Sequence, residues 1–183
     1  MTKLSGHIDN FLYKRPLMKI LKTLKSAQFL LLISIMWVFS ANSTDFPTAP
    51  AWKLSTQNGE SISLSDYQGK PVILHFWATW CPYCKKLQPK LVELEQKYQE
   101  SGIEIIAISF NEDDDALPQD EIKARGYDFI TAVNGDSVAA VYGVRGTPTT
   151  FFINRQGKAI YKSTSADISN PKLELAVKEI IKP

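Results

Sequence analysis

The chain has only two cysteines and two histidines among its 183 residues. A structural zinc site takes four cysteine or histidine ligands, and His7 lies far from both cysteines in the N-terminal tail. We therefore predict no metal site, and no scaffold of several disulfides of the kind found in small secreted domains. A net charge of only +2 argues against a basic surface for nucleic acid.

Internal repeats and low-complexity segments are absent from the sequence as well. An acidic run, Glu112–Asp115, lacks the ligand spacing of an EF-hand loop. It therefore predicts a solvated loop or the start of a helix rather than a calcium site.

The N-terminal part of the chain has a basic leader before an apolar stretch. A cluster of basic residues directly precedes this stretch: Lys14, Arg15, Lys19, Lys22 and Lys25. The stretch itself covers residues 27–41. Because basic residues beside such a stretch stay in the cytoplasm, the C-terminal part should be exported.

Two interpretations of this apolar segment stay open. No charged residue lies between Lys25 and Asp45, which is just enough to span a bilayer if Lys25 extends toward the surface. The strongly apolar part is shorter and fits the core of a signal peptide, with small residues such as Ala41 after it. We favour a retained anchor over cleavage. The segment has no cysteine, so a lipoprotein anchor is excluded.

These features divide the chain into four parts: a basic cytoplasmic leader (1–26), a signal anchor or signal peptide (27–43), a linker (44–50) and one folded domain (51–183). A domain of that length buries roughly two-thirds of its unfolded surface, so it needs no disulfide for stability. The two cysteines are therefore free for chemistry.

The most informative segment contains both cysteines, Cys81 and Cys84, with two residues between them. It follows the apolar run Val72–Trp77 and precedes a helical pattern, with Pro82 where proline favours a helix start. This order places the first sulfur at a helix N-terminus, where the helix dipole and free N–H groups favour the reactive thiolate. The second sulfur lies one turn further on, close enough to close a disulfide. The pattern predicts a thiol–disulfide exchange site.

Strands alternate with helices along the rest of the chain. Apolar runs and turn residues predict strands at 52–54, 62–64, 72–77, 103–108, 130–133, 149–153 and 159–162. Helical spacing and capping residues predict helices at 81–101, 120–125, 136–142 and 172–181. Such alternation, followed by a terminal hairpin, is typical of a mixed α/β sheet with helices on both faces.

Several segments resemble thioredoxin-like proteins. Phe76–Lys85 is similar to their active-site segment, and Gly146–Phe152 is similar to the segment with their cis-proline. Ile62–Pro71, with an extra strand–helix unit near 103–125, resembles the TlpA/ResA-like branch of membrane-tethered, periplasm-facing bacterial thioredoxins. The resemblance covers about residues 50–183. It implies a thioredoxin-like α/β fold and disulfide oxidoreductase activity, with no cofactor.

The resemblance also implies roles for five residues. Cys81 would be the nucleophile and Cys84 the resolving thiol, so that the two form the redox disulfide. Trp80 would flank the site, and Thr147 with a cis Pro148 would form the substrate-binding surface. Because proline lacks an N–H group, the backbone of Thr147 would stay free to pair with an extended peptide.

Three further residues are predicted to tune the cysteines. Pro82 and Tyr83 lie between the sulfurs, where they would influence the redox potential. His75 stands where thioredoxins often have a buried carboxylate, so it could accept a proton from Cys84. We prefer the alternative that it fills a buried position and hydrogen-bonds to the backbone. Leu87 replaces a glutamate of some reductive relatives, so the direction of electron flow does not carry over from them.

We expect a reductant of protein disulfides, because relatives with a membrane tether usually act in that direction. A disulfide-forming oxidase of the same fold is the alternative, and a Cu(I)-binding carrier that uses both thiolates is a further one. A peroxidase is not favoured, since Thr79 is badly spaced from Cys81 for that chemistry. The expected partners are protein thiols and disulfides and a membrane electron-transfer protein. The anchor would lie in the inner membrane, with the catalytic domain in the periplasm.

Overall fold

A seven-stranded sheet forms the centre of the computed structural model, which describes residues 46–183. The strands are β1 (Lys53–Thr56), β2 (Ser61–Ser63), β3 (Val72–Trp77), β4 (Glu104–Ser109), β5 (Ile130–Val133), β6 (Thr149–Ile153) and β7 (Ala159–Ser163). Their order across the sheet is β2-β1-β5-β4-β3-β6-β7. β3 runs parallel to β4 and β4 to β5, while the other pairs are antiparallel. The prediction of a mixed sheet is confirmed.

Part of the predicted organisation concerns residues before Phe46. The basic leader (1–26), the apolar segment (27–43) and residues 44–45 of the linker lie outside the described residues. Phe46–Pro183 forms one compact unit. Each helix within that unit is too short or too polar to cross a bilayer.

Helices cover both faces of the sheet. They are α1 (Pro82–Lys97), α2 (Pro118–Ala124), α3 (Asp136–Val141) and α4 (Pro171–Ile180). The core on one face contains apolar residues of α1, α2 and α4: Leu87, Leu91, Leu94, Ile122, Leu173, Val177 and Ile180. α3 contributes Val138 and Ala139 to the core on the other face. Helices on both faces were predicted, and this is confirmed.

β3 is the central strand, and all six of its residues are buried. Ile73 and Trp77 belong to the core beneath α1, whereas Leu74 and Phe76 belong to the core beneath α3. This division follows the two-residue period of side chains along a strand. Burial on both faces explains why β3 is continuously apolar except for His75.

The pairing of β3 with β6 brings two sequence motifs to one end of the sheet. The C-terminal end of β3 continues toward Cys81. Phe76 pairs with Thr149, which directly follows Pro148. We name this end the redox end and define it by the loops that meet there: residues 78–84, 110–112 and 144–148.

The N-terminal segment joins the domain at the opposite end of the sheet. Backbone hydrogen bonds of 2.9 Å link Ala49 to Gly157 and Ala159 to Pro47. We name this the distal end and define it by residues 47–49, 69–70, 101–102 and 154–158. The cysteine motif therefore lies at the far end of the sheet from the first described residues.

Most elements differ from their predicted bounds by one or more residues, and two of these differences change how an element ends. The strand predicted at 62–64 ends at Ser63, because the Asp66 carboxylate accepts the Ser63 N–H group at 2.7 Å and starts a 3-10 turn. The helix predicted at 81–101 ends at Lys97, and a separate 3-10 turn follows it.

Candidate active site

Cys81 caps the N-terminus of α1. Its backbone is extended (φ −82°, ψ 104°), and the Cys84 N–H group donates to its Sγ at 3.1 Å. Pro82 follows at the start of the helix, where its missing N–H group costs no hydrogen bond. The structure contains a disulfide between Cys81 and Cys84, whose Cα atoms lie 5.3 Å apart. The predicted position of the first sulfur, at a helix N-terminus, is confirmed.

The two cysteines are far less exposed than the aromatic residues beside them. Cys81 is 2% exposed and Cys84 is 0% exposed. Trp80 and Tyr83 are 49% and 65% exposed. A protein that approaches this surface meets the aromatic side chains first, and of the two cysteines only Cys81 presents any surface to it.

The peptide bond between Thr147 and Pro148 is cis, as the resemblance implies. Pro148 is buried and Thr147 is half-buried. The Thr149 hydroxyl donates to the Gly146 carbonyl at 2.7 Å, which closes the turn before β6. The turn therefore presents the Thr147 backbone at the redox end.

Trp80 and Thr147 line the same open cleft. The cleft has a volume of about 430 Å³ and is also lined by Asn111 and Asp136. A neighbouring cleft of about 580 Å³ is lined by Thr147 and Pro148. The structure thus brings together the three residues predicted to bind substrate, Trp80, Thr147 and Pro148.

The acidic run contributes directly to this site, which the sequence did not indicate. The Glu112 carboxylate accepts the Thr79 N–H group at 2.9 and 3.0 Å and the Thr79 hydroxyl at 2.6 Å. Thr79 lies in the loop between β3 and α1, two residues before Cys81. Glu112 was predicted to be part of a solvated loop or a helix start. It is half-buried, because the end of β4 brings it beside the end of β3.

The residue before Glu112 holds the tryptophan of the motif. The Trp80 indole N–H donates to the Asn111 carbonyl at 2.8 Å. Asn111 has a left-handed backbone (φ 53°), which asparagine tolerates better than most residues. Its N–H group donates to the Asp136 carboxylate at 3.1 Å. Asp136 therefore fixes the peptide that positions the Trp80 ring.

His75 is buried in β3, two residues before Trp77 and on the same face of the strand, beneath α1. Its Nδ1 lies 2.9 Å from the Thr150 hydroxyl, at the paired position on β6. The expected backbone partner is thus wrong, since the neighbouring strand offers a side-chain hydroxyl instead. Burial lowers the pKa of His75 to about 3, so the ring is neutral at pH 7.

Arg125 ties the first turn of α1 to the end of α2. Its guanidinium donates to the Lys85 carbonyl at 2.7 Å and to the buried Gln88 side chain. Gln88 lies one turn after Cys84 on the buried side of α1. This contact was also not evident from the sequence. It gives α1, the helix that Cys81 caps, a fixed position over the sheet.

The charged and sulfur-bearing side chains of the site are not arranged as a metal centre. Within residues 46–183, no three histidine, cysteine, aspartate or glutamate side chains converge so that they could hold a metal ion.

Known proteins resemble this chain in sequence and in structure. The model of the AhpC/TSA family matches residues 47–162. The thiol-disulfide oxidoreductase ResA of Bacillus thuringiensis subsp. konkukian is 37% identical over 133 residues, which cover 72% of this chain and 76% of that protein. ResA of Halalkalibacterium halodurans is 37% identical over 131 residues, which cover 71% of this chain and 73% of that protein.

A solved structure shows the same fold. The crystal structure of a thiol:disulfide interchange protein, DsbE, from Chlorobium tepidum superimposes with a TM-score of 0.64 and 30% sequence identity. The match covers 76% of this chain and 100% of the other. With a cysteine pair at the start of α1 and the cis Thr147–Pro148 bond beside it, these similarities show that the chain belongs to the AhpC/TSA family and is a thioredoxin-like thiol-disulfide oxidoreductase.

Proposed function

We propose that the protein reduces disulfides of other proteins outside the cytoplasm, with Cys81 as nucleophile and Cys84 as resolving thiol. The observation that supports this most directly is the cap of α1. The Cys84 N–H group donates to the Cys81 sulfur at 3.1 Å, and the positive end of the helix dipole lies at the same atom. Both interactions favour negative charge on that sulfur, which is the form that attacks disulfides.

The reaction proceeds in two exchanges. The Cys81 thiolate attacks one sulfur of the substrate disulfide, a mixed disulfide forms, and the other substrate sulfur leaves as a thiolate and takes up a proton. Cys84 then loses its proton and attacks the Cys81 sulfur. The Cys81–Cys84 disulfide forms, and the second substrate sulfur leaves as a thiol. Two electrons have passed to the substrate.

We propose that substrate polypeptides bind across the cis-proline turn. Pro148 has no N–H group, and the Thr147 backbone can pair with an extended segment as an added strand does. The exposed Trp80 ring lines the same cleft as Thr147. The ResA relatives are thiol-disulfide oxidoreductases by name, which supports protein thiols and disulfides as the substrates here.

Of the three residues predicted to tune the pair, two keep that role in this proposal. Pro82 and the exposed Tyr83 lie between the sulfurs in the first turn of α1, where an approaching protein would meet them. His75 has a low pKa because it is buried. A neutral ring of such low basicity is a poor acceptor for the proton of Cys84, so we assign His75 a packing role rather than a part in proton transfer.

Location and electron supply follow from the N-terminal pattern. The basic leader (1–26), the apolar segment (27–43) and the linker (44–50) support an inner-membrane anchor, with the domain at 51–183 in the periplasm. Each substrate reduction leaves the Cys81–Cys84 pair oxidised, so a dithiol donor must reduce it again. A membrane protein that carries electrons across the bilayer fits that need. Membrane fractionation and intact-mass analysis of the native protein would test anchor against cleaved leader.

Measuring the reduction potential of the Cys81–Cys84 pair against glutathione tests the direction. We expect a value closer to that of thioredoxin, about −270 mV, than to that of a strong oxidant, about −120 mV. A value near the second figure would overturn the reductase assignment in favour of a disulfide-forming oxidase.

Trapping identifies the substrate. A Cys84→Ala variant should accumulate a mixed disulfide through Cys81, whereas a Cys81→Ala variant should accumulate none. The trapped partners, identified by mass spectrometry, should be exported proteins with reducible disulfides. Partners confined to the cytoplasm would contradict the proposed location.

A further inference from the structure

Glu112 is the acidic residue most closely engaged with the redox motif, although it lies 31 positions after Cys81. Its two carboxylate oxygens accept three hydrogen bonds of 2.6 to 3.0 Å from Thr79. Hydrogen bonds to a charged group are stronger than those between neutral groups. Glu112, in the loop after β4, therefore holds Thr79, in the loop after β3, firmly in place.

Thr79 is the middle of a three-residue connection, Ala78–Trp80, between β3 and Cys81. The Cys81 N–H group donates to the Ala78 carbonyl at 3.1 Å, so the connection is a tight turn. In such a turn, the direction of the Thr79 peptide determines where Cys81 begins the helix. A carboxylate that binds the Thr79 N–H group thus acts on the position of the Cys81 sulfur.

The loop after β4 also fixes Trp80, through a separate contact. The Asn111 carbonyl accepts the Trp80 indole N–H, and Asp136 in turn accepts the Asn111 N–H group. Two consecutive residues after β4, Asn111 and Glu112, therefore hold the two consecutive residues that precede Cys81.

We propose that Glu112 is a positioning residue for thiol–disulfide exchange: by binding Thr79, it keeps the Cys81 sulfur over the N-terminus of α1, in line with the Cys84 N–H group. This inference rests on the proposed roles of the two cysteines. Glu112 does not touch the reacting sulfurs. It acts through the geometry of the turn.

Loss of the Glu112 charge and loss of its contacts with Thr79 should shift the pH at which Cys81 ionises in opposite directions. The proposal can therefore be tested. A negative carboxylate near Cys81 disfavours the thiolate, so loss of its charge alone would let Cys81 ionise at a lower pH. Loss of position would instead move the sulfur away from the helix N-terminus, so that Cys81 ionises at a higher pH.

The experiment measures the rate of Cys81 alkylation by iodoacetamide against pH in the reduced full-length protein. A Cys84→Ala background leaves one thiol and keeps the backbone N–H group at position 84. In Glu112→Ala we expect the midpoint of the profile to rise by about one pH unit, which is roughly tenfold in the ionisation equilibrium. In Glu112→Gln, whose amide oxygen can still accept the Thr79 N–H group, the midpoint should stay unchanged or fall.

The matched control is Asp114→Ala, an exposed acid two positions further along the same run. It removes the same charge from the same loop and should shift the midpoint by less than about 0.2 units, since exposed charges are screened. A midpoint in Glu112→Ala that is unchanged, or that falls as in Glu112→Gln, would overturn the proposal.

A second variant covers the case in which Glu112→Ala does not fold. Thr79→Val removes only the hydroxyl donor to Glu112 and should raise the midpoint by about half a unit. An unchanged profile in Thr79→Val, with Glu112→Ala unfolded, would leave Glu112 a purely structural residue and reject the inference. Because alkylation needs no protein substrate, these results stand apart from insulin-reduction assays, whose failure in the parent protein would reject the proposed function instead.

Discussion

At the redox end of the sheet, carboxylates hold backbone N–H groups and the cysteines follow directly after. At the distal end a cation instead donates hydrogen bonds to backbone carbonyl groups. Arg155 donates to the Gly69 carbonyl at 3.0 Å and to the Ser101 carbonyl at 2.6 Å, and so joins the loops before β3 and β4. The two ends of the same strands are thus stabilised by side chains of opposite charge.

This difference has a functional meaning. At the redox end, the N–H groups at the start of α1 stay directed at the Cys81 sulfur, because Glu112 takes only the donors of Thr79. At the distal end no group needs to stay reactive, and Arg155 closes the loops directly. β3 has six residues, or about 20 Å, so the two ends are well separated.

The largest expected effect separates the chemistry of the redox end from the stability of the sheet. Cys81→Ser should lower the rate of disulfide exchange more than a thousandfold, since a serine hydroxyl stays protonated and cannot form the mixed disulfide. The free energy of unfolding of the reduced protein should change by less than about 1 kcal/mol. Insulin reduction and urea unfolding measure the two quantities. Exchange carried by Cys84 alone would contradict the assigned order of attack.

Removal of the Arg155 side chain at the distal end should have the reverse effect, because it should lower stability and leave activity unchanged. Arg155→Ala should lower the free energy of unfolding by about 3 kcal/mol, because it removes two hydrogen bonds from a charged group. The rate of insulin reduction at 25 °C should be unchanged. Arg155→Lys, which keeps the charge but can reach only one carbonyl, is the control and should lose about half as much. A changed reduction potential in either variant would show that the two ends are coupled.

His75 lies between the two ends and should make stability depend on pH. The unfolded chain takes up a proton near the ordinary histidine pKa of 6.5, whereas folded His75 stays neutral down to about pH 3. Stability from this group is therefore complete above pH 6.5 and is lost as the pH falls below it. Between pH 7 and pH 5 the loss should be about 2 kcal/mol.

Urea unfolding at pH 7, 6 and 5 measures the slope of the unfolding free energy against pH. The slope should be smaller in His75→Leu, which carries no titrating ring at this position. The pH dependence of the reduction potential should be the same in both proteins. A different dependence in the variant would show that His75 exchanges a proton with Cys84 after all, and would overturn the packing role.

The smallest effect concerns the exposed surface of the redox end. Tyr83→Phe should change the reduction potential by less than about 30 mV, equivalent to about 1.4 kcal/mol, because the side chain is 65% exposed and its hydroxyl is therefore solvated. Its unfolding free energy should be unchanged within about 0.5 kcal/mol. A larger shift in potential would place the Tyr83 hydroxyl among the groups that act on the Cys81 thiolate.

Most elements of the fold were predictable, because their signals are local. β3 was predicted with its observed bounds, since a strand buried on both faces is a continuous apolar run between turn residues. The start of α1 was predicted to within one residue from Pro82, and the start of α4 from Pro171 after the Asn170 cap. The end of α1 was not predicted, because its last turn changes to a 3-10 turn without a distinctive residue.

The side chains around the cysteines were much less predictable. Thr79 and Glu112 are 33 positions apart, and His75 and Thr150 are 75 apart. Nothing in the residues near Glu112 distinguishes it from the aspartates that follow it. The register between β3 and β4 brings its carboxylate to Thr79.

By itself, the sequence determined the class of chemistry: two cysteines two residues apart at a helix start, and a threonine–proline step before a buried strand. These are local patterns whose meaning depends on backbone geometry within a few residues. Only the tertiary structure decided what surrounds the sulfurs. Which carboxylate binds Thr79, which carbonyl receives the Trp80 indole and what partner His75 finds all depend on strand order and register, which arise from packing both faces of β3 at once.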